Sequence, residues 1–221
     1  MITVLTSNHP RHRYLINTLA KIDSVWAVVE KFDNPHTTIV DPVMEEYFTR
    51  MRLVEKVMFP EEEYKAYMVD FIEGGTISEH KLSPLARRSD KVVVFGCGWI
   101  KNPLFNQIKD KAINIHMGVG YRGASCNAHA YYEGRKHLVG ATIQKLSEGL
   151  DNGEPLFYAY GTWRFTDYFT YSMSAVKNAI DKLGWYLQTG SVDMDAPEDK
   201  YTAYKKKTDF TLEMARKICK L

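Results

Sequence analysis

Ile2-Thr3-Val4-Leu5-Thr6, then Ser7-Asn8-His9-Pro10, then Val25-Trp26-Ala27-Val28-Val29 are the stretches of this 221-residue chain whose reading decides its fold class. The first is a short apolar run of strand length. Ser7 to Pro10 joins an N-cap candidate to a proline suited to a first helical turn. Leu15, Leu19 and Ile22 follow at i, i+4 and i+7, one buried stripe of a helix. The third stretch reads as a second buried strand. Strand, helix, strand with unbroken apolar runs is how a parallel α/β sheet opens.

The pattern continues outward. Lys91-Val92-Val93-Val94-Phe95 predicts a central strand that ends at Gly96-Cys97-Gly98. Ala112 to His116 predicts another, followed by the small-residue loop Met117-Gly118-Val119-Gly120. Between Phe32 and Asp90, Pro35, Pro42 and Pro60 punctuate charged stretches that predict helices over Glu45 to Met58 and Glu61 to Ile72. Gly74-Gly75 marks a loop, Ser83-Pro84 a short helix start, and Ala128 to Tyr132 the beginning of another helix. Two β-like runs, Ala141 to Leu146 and Pro155 to Tyr160, flank Asp151-Asn152-Gly153, a hairpin signal. Amphipathic helices are expected over Tyr168 to Gln188 and Tyr201 to Cys219. The expected fold is a Rossmann-like, mostly parallel sheet flanked by helices, with a β-hairpin and C-terminal helices from about residue 168, in a single domain over residues 1–221.

Composition excludes several functions. With 29 Lys+Arg against 27 Asp+Glu the formal charge is +2, which gives no global field to hold a polyanion, so no nucleic-acid partner is expected. Apolar residues at 45% support a sizeable core and rule out disorder as the main state. Cys97, Cys126 and Cys219 are odd in number and far apart, a pattern that suits a reducing compartment. No basic leader precedes an apolar stretch, and no segment reaches the ~18 apolar residues of a membrane span. A cytoplasmic protein without a membrane partner is expected. His129 and His137 lack partners at metal-ligand spacing, so no metal is expected.

Asn114 and His116, two apart on a predicted strand, leave the same face of the sheet at the carboxyl edge where α/β sheets bind ligands. The pair can aim hydrogen-bond donors at a developing oxyanion; equally, Asn114 can satisfy a loop and His116 sit in the core. Asp151 can orient and charge His116, although Asp-Asn-Gly is also plain turn chemistry. Gly96-Cys97-Gly98 lacks the third glycine of a dinucleotide fingerprint, since Trp99, Ile100 and Lys101 follow. Arg11-His12-Arg13 at a helix start is an anion-site candidate or a solvated face. The aromatic run from Phe157 to Tyr171 reads as core more readily than as a stacking platform, and Lys205-Lys206-Lys207 as a solvated helix surface.

Taken together, Ile113-Asn114-Ile115-His116, Tyr121-Arg122-Gly123-Ala124-Ser125, Val139-Gly140-Ala141-Thr142-Ile143 and Glu148-Gly149-Leu150-Asp151-Asn152-Gly153 resemble the folate-dependent formyltransferases in order and spacing. The resemblance is detailed from about Val92 to Tyr158 and looser over the first 30 residues. It implies 10-formyltetrahydrofolate as cosubstrate, Asn114, His116 and Asp151 as the catalytic trio, and formyl transfer to a primary amine without a metal or covalent intermediate. It implies that Gly98, Trp99, Ile100 and Lys101 line the pterin pocket opposite Ser147, Glu148, Gly149 and Leu150, with Cys97 an inert neighbour. Asn8, Arg11, Arg13, Arg122 and Gly123 are candidate acceptor-binding residues.

Three departures stand out. Met117 to Gly120 replaces the family's longer Ser-Leu-Leu-Pro loop, Ser7 to Arg11 stands where a phosphate-binding glycine turn is found in glycinamide ribonucleotide transformylase, and Gln144 occupies a position where relatives often carry histidine. The expected acceptor is a small amine, foremost an amino sugar on a nucleotide or another phosphorylated metabolite. About 70 residues follow Asp151, which argues against an appended tRNA-binding barrel. The alternatives are glycinamide ribonucleotide formylation, hydrolysis of the formyl-folate, and a silent folate- or nucleotide-binding module. The apolar stripes of the C-terminal helices can support a homodimer.

Overall fold

The structure is a computed structural model and describes residues 1–32, 41–198 and 201–220. The strands are β1 (Ile2–Ser7), β2 (Val25–Lys31), β3 (Met68–Glu73), β4 (Lys91–Phe95), β5 (Ala112–His116), β6 (Tyr121–Gly123), β7 (Gly140–Lys145), β8 (Pro155–Tyr160) and β9 (Ala203–Lys205). The helices are α1 (Pro10–Leu19), α2 (Pro42–Met58), α3 (Pro84–Arg87), α4 (Leu104–Ile108), α5 (Cys126–Tyr132), α6 (Tyr168–Thr189) and α7 (Leu212–Cys219). Seven strands form one sheet in the order β3-β2-β1-β4-β5-β7-β8, parallel through β5 and antiparallel at β7 and β8. This is the Rossmann-like architecture expected from the apolar runs, and the hairpin closes as the Asp-Asn-Gly turn predicts.

Side chains alternate between two cores, as period-2 strands require. Val4, Val29, Val93, Ile115 and Phe157 face α1 and α6, where they meet Leu15, Leu19, Ile180 and Leu183. Leu5, Val28, Val92 and Val94 face the other way, onto Ile77, Ile100, Leu104 and Ile108. The chain runs outward from β1 to β3 and then returns to place β4 on the far side of β1. The loops after β1 and β4 therefore diverge, and a crevice opens at their carboxyl ends.

Two predicted helices are corrected. Glu61 to Ile72 is extended; its second half is the edge strand β3, paired with β2 through Trp26↔Met68 to Lys31↔Glu73. The segment is a charged stretch behind Pro60, but Asn17 holds the Glu63 carbonyl and the Lys65 amide in a non-helical path. In Tyr201 to Cys219, helix begins at Leu212, capped by the Thr211 hydroxyl. Before it lie β9 and a 3-10 turn over Lys207–Asp209, and β9 runs parallel to β6 with Tyr121↔Ala203 and Gly123↔Lys205 in register. Lys205 is consequently no helix surface but an ion-pair partner of Glu133 at 2.8 Å. Glu133 also accepts from the Tyr121 hydroxyl at 2.6 Å, so one carboxylate pins both members of the β6–β9 ribbon. The aromatic run is core at Phe157, Tyr168, Phe169 and Tyr171, while Trp163 is exposed.

The hairpin turn is held close to β7. A Cβ on Gly153 would overlap the Lys145 carbonyl oxygen, so a side chain there must push the turn, and Asp151 with it, away from β5. Gly153→Ala is expected to lower the unfolding free energy by about 2 kcal/mol, the range of overpacked sites, as read from urea denaturation.

Candidate active site

Asn114 and His116 lie at the carboxyl end of β5, opposite Gln144 and Thr142 of β7. Asp151 reaches them from the hairpin turn, where it adopts a left-handed φ of +47°, a conformation that Asp tolerates better than most residues. Its Oδ1 lies 3.2 Å from His116 Nδ1 and accepts a long hydrogen bond of 3.4 Å from the Asn114 amide. Its Oδ2 accepts from the Gly123 backbone N–H at 3.1 Å. Gly123 has φ +95°, and a Cβ there would overlap the Lys205 carbonyl oxygen across the β6–β9 ribbon. The site therefore joins three parts of the chain at one carboxylate.

The protonation of His116 follows from its partners. Nδ1 faces a carboxylate and Nε2 lies 2.7 Å from the Tyr121 carbonyl oxygen. Both are acceptors, so both ring nitrogens carry hydrogen and the ring is an imidazolium. Burial works against this charge, but the hydrogen bond to Asp151 and the contact with Cys126 outweigh it and raise the imidazole to about 10. For Asp151, burial alone would raise the carboxyl; the bond and charge of His116, with Gly123 and Asn114, bring it below its ordinary value.

Two cavities meet at this pair. The smaller, about 320 Å³, lies between the backbone runs Gly96 to Ile100 and Leu146 to Leu150, with Asn114, His116 and Asp151 at its end. Gly98, Trp99, Ile100, Ser147, Gly149 and Leu150 all line it, whereas Lys101 and Glu148 stand outside its wall. Lys101 instead sets its ammonium over the Trp99 ring at 5.3 Å. Cys97 lines this cavity too; burial, then the nearby Glu30 carboxylate, push its thiol well above the ordinary range and disfavour the thiolate. The larger cavity, about 710 Å³, runs from His116 and Met117 to α2 and the start of α6. Asn8, Arg11 and Gly123 line it, and Arg11, His116, Met117 and Gly123 are shared with the smaller cavity.

The basic turn at the start of α1 does not converge on an anion. Arg11 pairs with the buried Glu55 at 2.7 Å, and Arg13 donates to the Glu62 carbonyl at 2.9 Å and lies over the Tyr64 ring. His12 is buried and accepts from the Ser7 amide; burial, with Arg11 and His9 nearby, lowers it well below the ordinary value and keeps it neutral. Asn8 bonds the Phe32 backbone at both ends of its amide, and Arg122 holds the Leu150 carbonyl at 2.9 Å and faces a third cleft.

Sequence reasoning missed Glu30. This fully buried carboxylate at the end of β2 accepts from the Gly98 amide at 2.6 Å and from the Ile77 amide at 2.9 Å, and so sets the wall of the smaller cavity. Its signal was a charge closing an apolar strand. Arg52 and Lys56 of α2, one turn apart beside the larger cavity, were also passed over; among the described residues neither has a carboxylate partner. No group of three or more His, Cys, Asp or Glu among the described residues is arranged to hold a metal ion. No described helix is long and apolar enough to cross a membrane.

No protein-family profile and no curated protein matches the chain. Solved structures do. A sugar N-formyltransferase from Shewanella superposes with a TM-score of 0.60 at 16% identity, over 95% of this chain and 78% of that one. A 4-N formyltransferase from Francisella tularensis gives 0.59 at 14% identity, over 94% and 77%. WlaRD, a sugar 3N-formyl transferase determined in the presence of dTDP and 5-N-formyl-THF, gives 0.57 at 10% identity, over 96% and 71%. At these identities the likeness is one of fold.

The pair sets a pH window. His116, raised in the folded state, stabilises fully below its unfolded value of about 6.5, and that stability is lost as pH rises through about 10. Asp151, lowered in the folded state, stabilises above the ordinary carboxyl value, and that stability is lost as pH falls through its folded pKa. Asp151→Asn removes the counter-charge and leaves burial, the largest single influence on His116, opposed only by the Cys126 contact. In the variant, His116 is expected to titrate at or below about 6.5 by NMR, and an imidazolium persisting at pH 8 would contradict the assignment.

Proposed function

We propose that this chain transfers a formyl group from 10-formyltetrahydrofolate to the primary amine of a small molecule. The observation that carries this reading is the convergence of Asn114, His116 and Asp151 where two cavities of unequal size meet. The smaller is a slot of about 320 Å³ with apolar walls at Ile100 and Leu146, a shape and chemistry that suit a flat heterocycle. The larger gives the amine its own approach. 10-Formyltetrahydrofolate supplies an activated formyl group on a nitrogen that leaves readily. Asn114 has a free amide hydrogen to meet the negative charge that develops on the formyl oxygen. His116 has both N–H groups engaged, so its contribution is its positive charge, fixed beside that oxygen in a desolvated site. Asp151 holds that charge and accepts the proton that the amine gives up.

Arg52 and Lys56 at the larger cavity suit a phosphate on the acceptor, which favours an amino sugar nucleotide or another phosphorylated amine. The sugar-acting enzymes that share this fold support the same class. The test is a mass-spectrometric screen of phosphorylated amines and nucleotide sugars with 10-formyltetrahydrofolate, read for the mass gain of one formyl group. His116→Ala and Asp151→Ala are each expected to slow transfer by about 100-fold or more while folate affinity stays within a few-fold. Full turnover in either variant would remove the trio from the mechanism.

A further inference from the structure

A third cleft, about 420 Å³, lies behind the catalytic pair. It shares three residues with the smaller cavity, His116, Gln144 and Asp151, so these form the partition between the two. Its walls mix apolar surface at Pro155, Ala196 and Pro197 with polar groups at Thr142, Asn152, Tyr201 and Thr202, and the lining residue Ala196 is exposed. A cleft of this size with several polar groups in its wall has room and hydrogen-bond partners for water.

Gln144 stands in the partition for structural reasons. The β7–β8 register shifts between Ile143 and Gln144, an irregularity of the kind that re-aims a side chain beside a site. Gln144 is 4% exposed and lies across from Asn114. Among the described residues its amide has no hydrogen-bond partner, yet its atoms are not sealed from the cavities they line. An amide buried to this degree costs free energy unless something completes its hydrogen bonds.

We propose that the rear cleft is the proton exit of the site and that Gln144 is a positioning residue, holding the water that takes the proton from Asp151. The inference rests on the formyl-transfer reading. The nitrogen–hydrogen bond of the attacking amine breaks as an O–H bond forms on the Asp151 carboxylate. That proton then passes to the water held by Gln144 and out along the cleft, which restores the carboxylate. The carrier nitrogen is reprotonated from solvent, so the proton count is unchanged and nothing is oxidised or reduced. A neutral amide suits this place: it donates and accepts without adding a charge beside Asp151.

The test uses two variants of the full chain. Ala196→Trp fills the cleft mouth from an exposed position, and Gln144→Met keeps the partition's bulk without its amide. Both are expected to lower kcat about 10-fold, leave tetrahydrofolate affinity by calorimetry within twofold, and enlarge the solvent isotope effect on kcat. Independently of turnover, Ala196→Trp is expected to slow exchange of the His116 Nδ1 proton with solvent by about 10-fold, read by NMR. Unchanged exchange and unchanged kcat in Ala196→Trp would overturn the exit route, and an unchanged isotope effect in Gln144→Met would overturn the role of its amide. If the wild type neither binds tetrahydrofolate nor transfers formyl, the formyl-transfer reading falls, and the exchange measurement still decides whether water reaches the pair through this cleft.

Discussion

A carboxylate and an imidazolium removed from bulk water hold this structure's chemistry together. Neither charge is tolerable alone at that depth, because the desolvation cost of a single buried ion exceeds what nearby dipoles return. Asp151 is compensated by His116, Asn114 and the Gly123 amide; His116 is compensated by Asp151 and the Tyr121 carbonyl. These partners come from the end of β5, the hairpin turn and the β6 ribbon, so three segments distant in the chain must register to within hydrogen-bond distance. The Glu133 cluster and the parallel pairing of β6 with β9 are the bracing that makes this possible.

The surroundings divide labour by position in the sheet. The loops that follow β1 and β4 diverge and open the crevice, and Glu30 fixes the loop after β4 by taking the Gly98 amide. The larger cavity is built from α2 and α6, whose apolar residues Met51 and Met173 line it while their neighbours belong to the core. The two cavities thus reach His116 from different sides and share only Arg11, Met117 and Gly123 beside it.

Most of the central sheet was legible in the sequence because its strands are buried on both faces, which leaves an unbroken apolar run that no helix of that length would need. Edge elements were not. β3 is half exposed and charged, and β6 and β9 are three residues each, too short for any period to declare itself. At the site, period-2 geometry put Asn114 and His116 on one face, but Asp151 read equally well as turn chemistry. What separates those readings is a contact across 35 residues of chain, which spacing cannot encode. Glu30 escaped because a carboxylate at a strand end ordinarily faces water. The divergence of Arg11 from Arg13 was hidden for a related reason: their partners, Glu55 and Glu62, lie more than 40 residues away.

The β6–β9 pairing also carries a consequence for the order in which the protein comes into being. Asn114, His116 and Asp151 leave the ribosome before residues 203–205, which complete the ribbon that presents the Gly123 amide to Asp151. A nascent chain that has already folded its sheet still lacks the strand that braces the charged pair. That bracing is thereby deferred until residues 203–205 have emerged, so that shorter nascent chains present the sheet without the finished site.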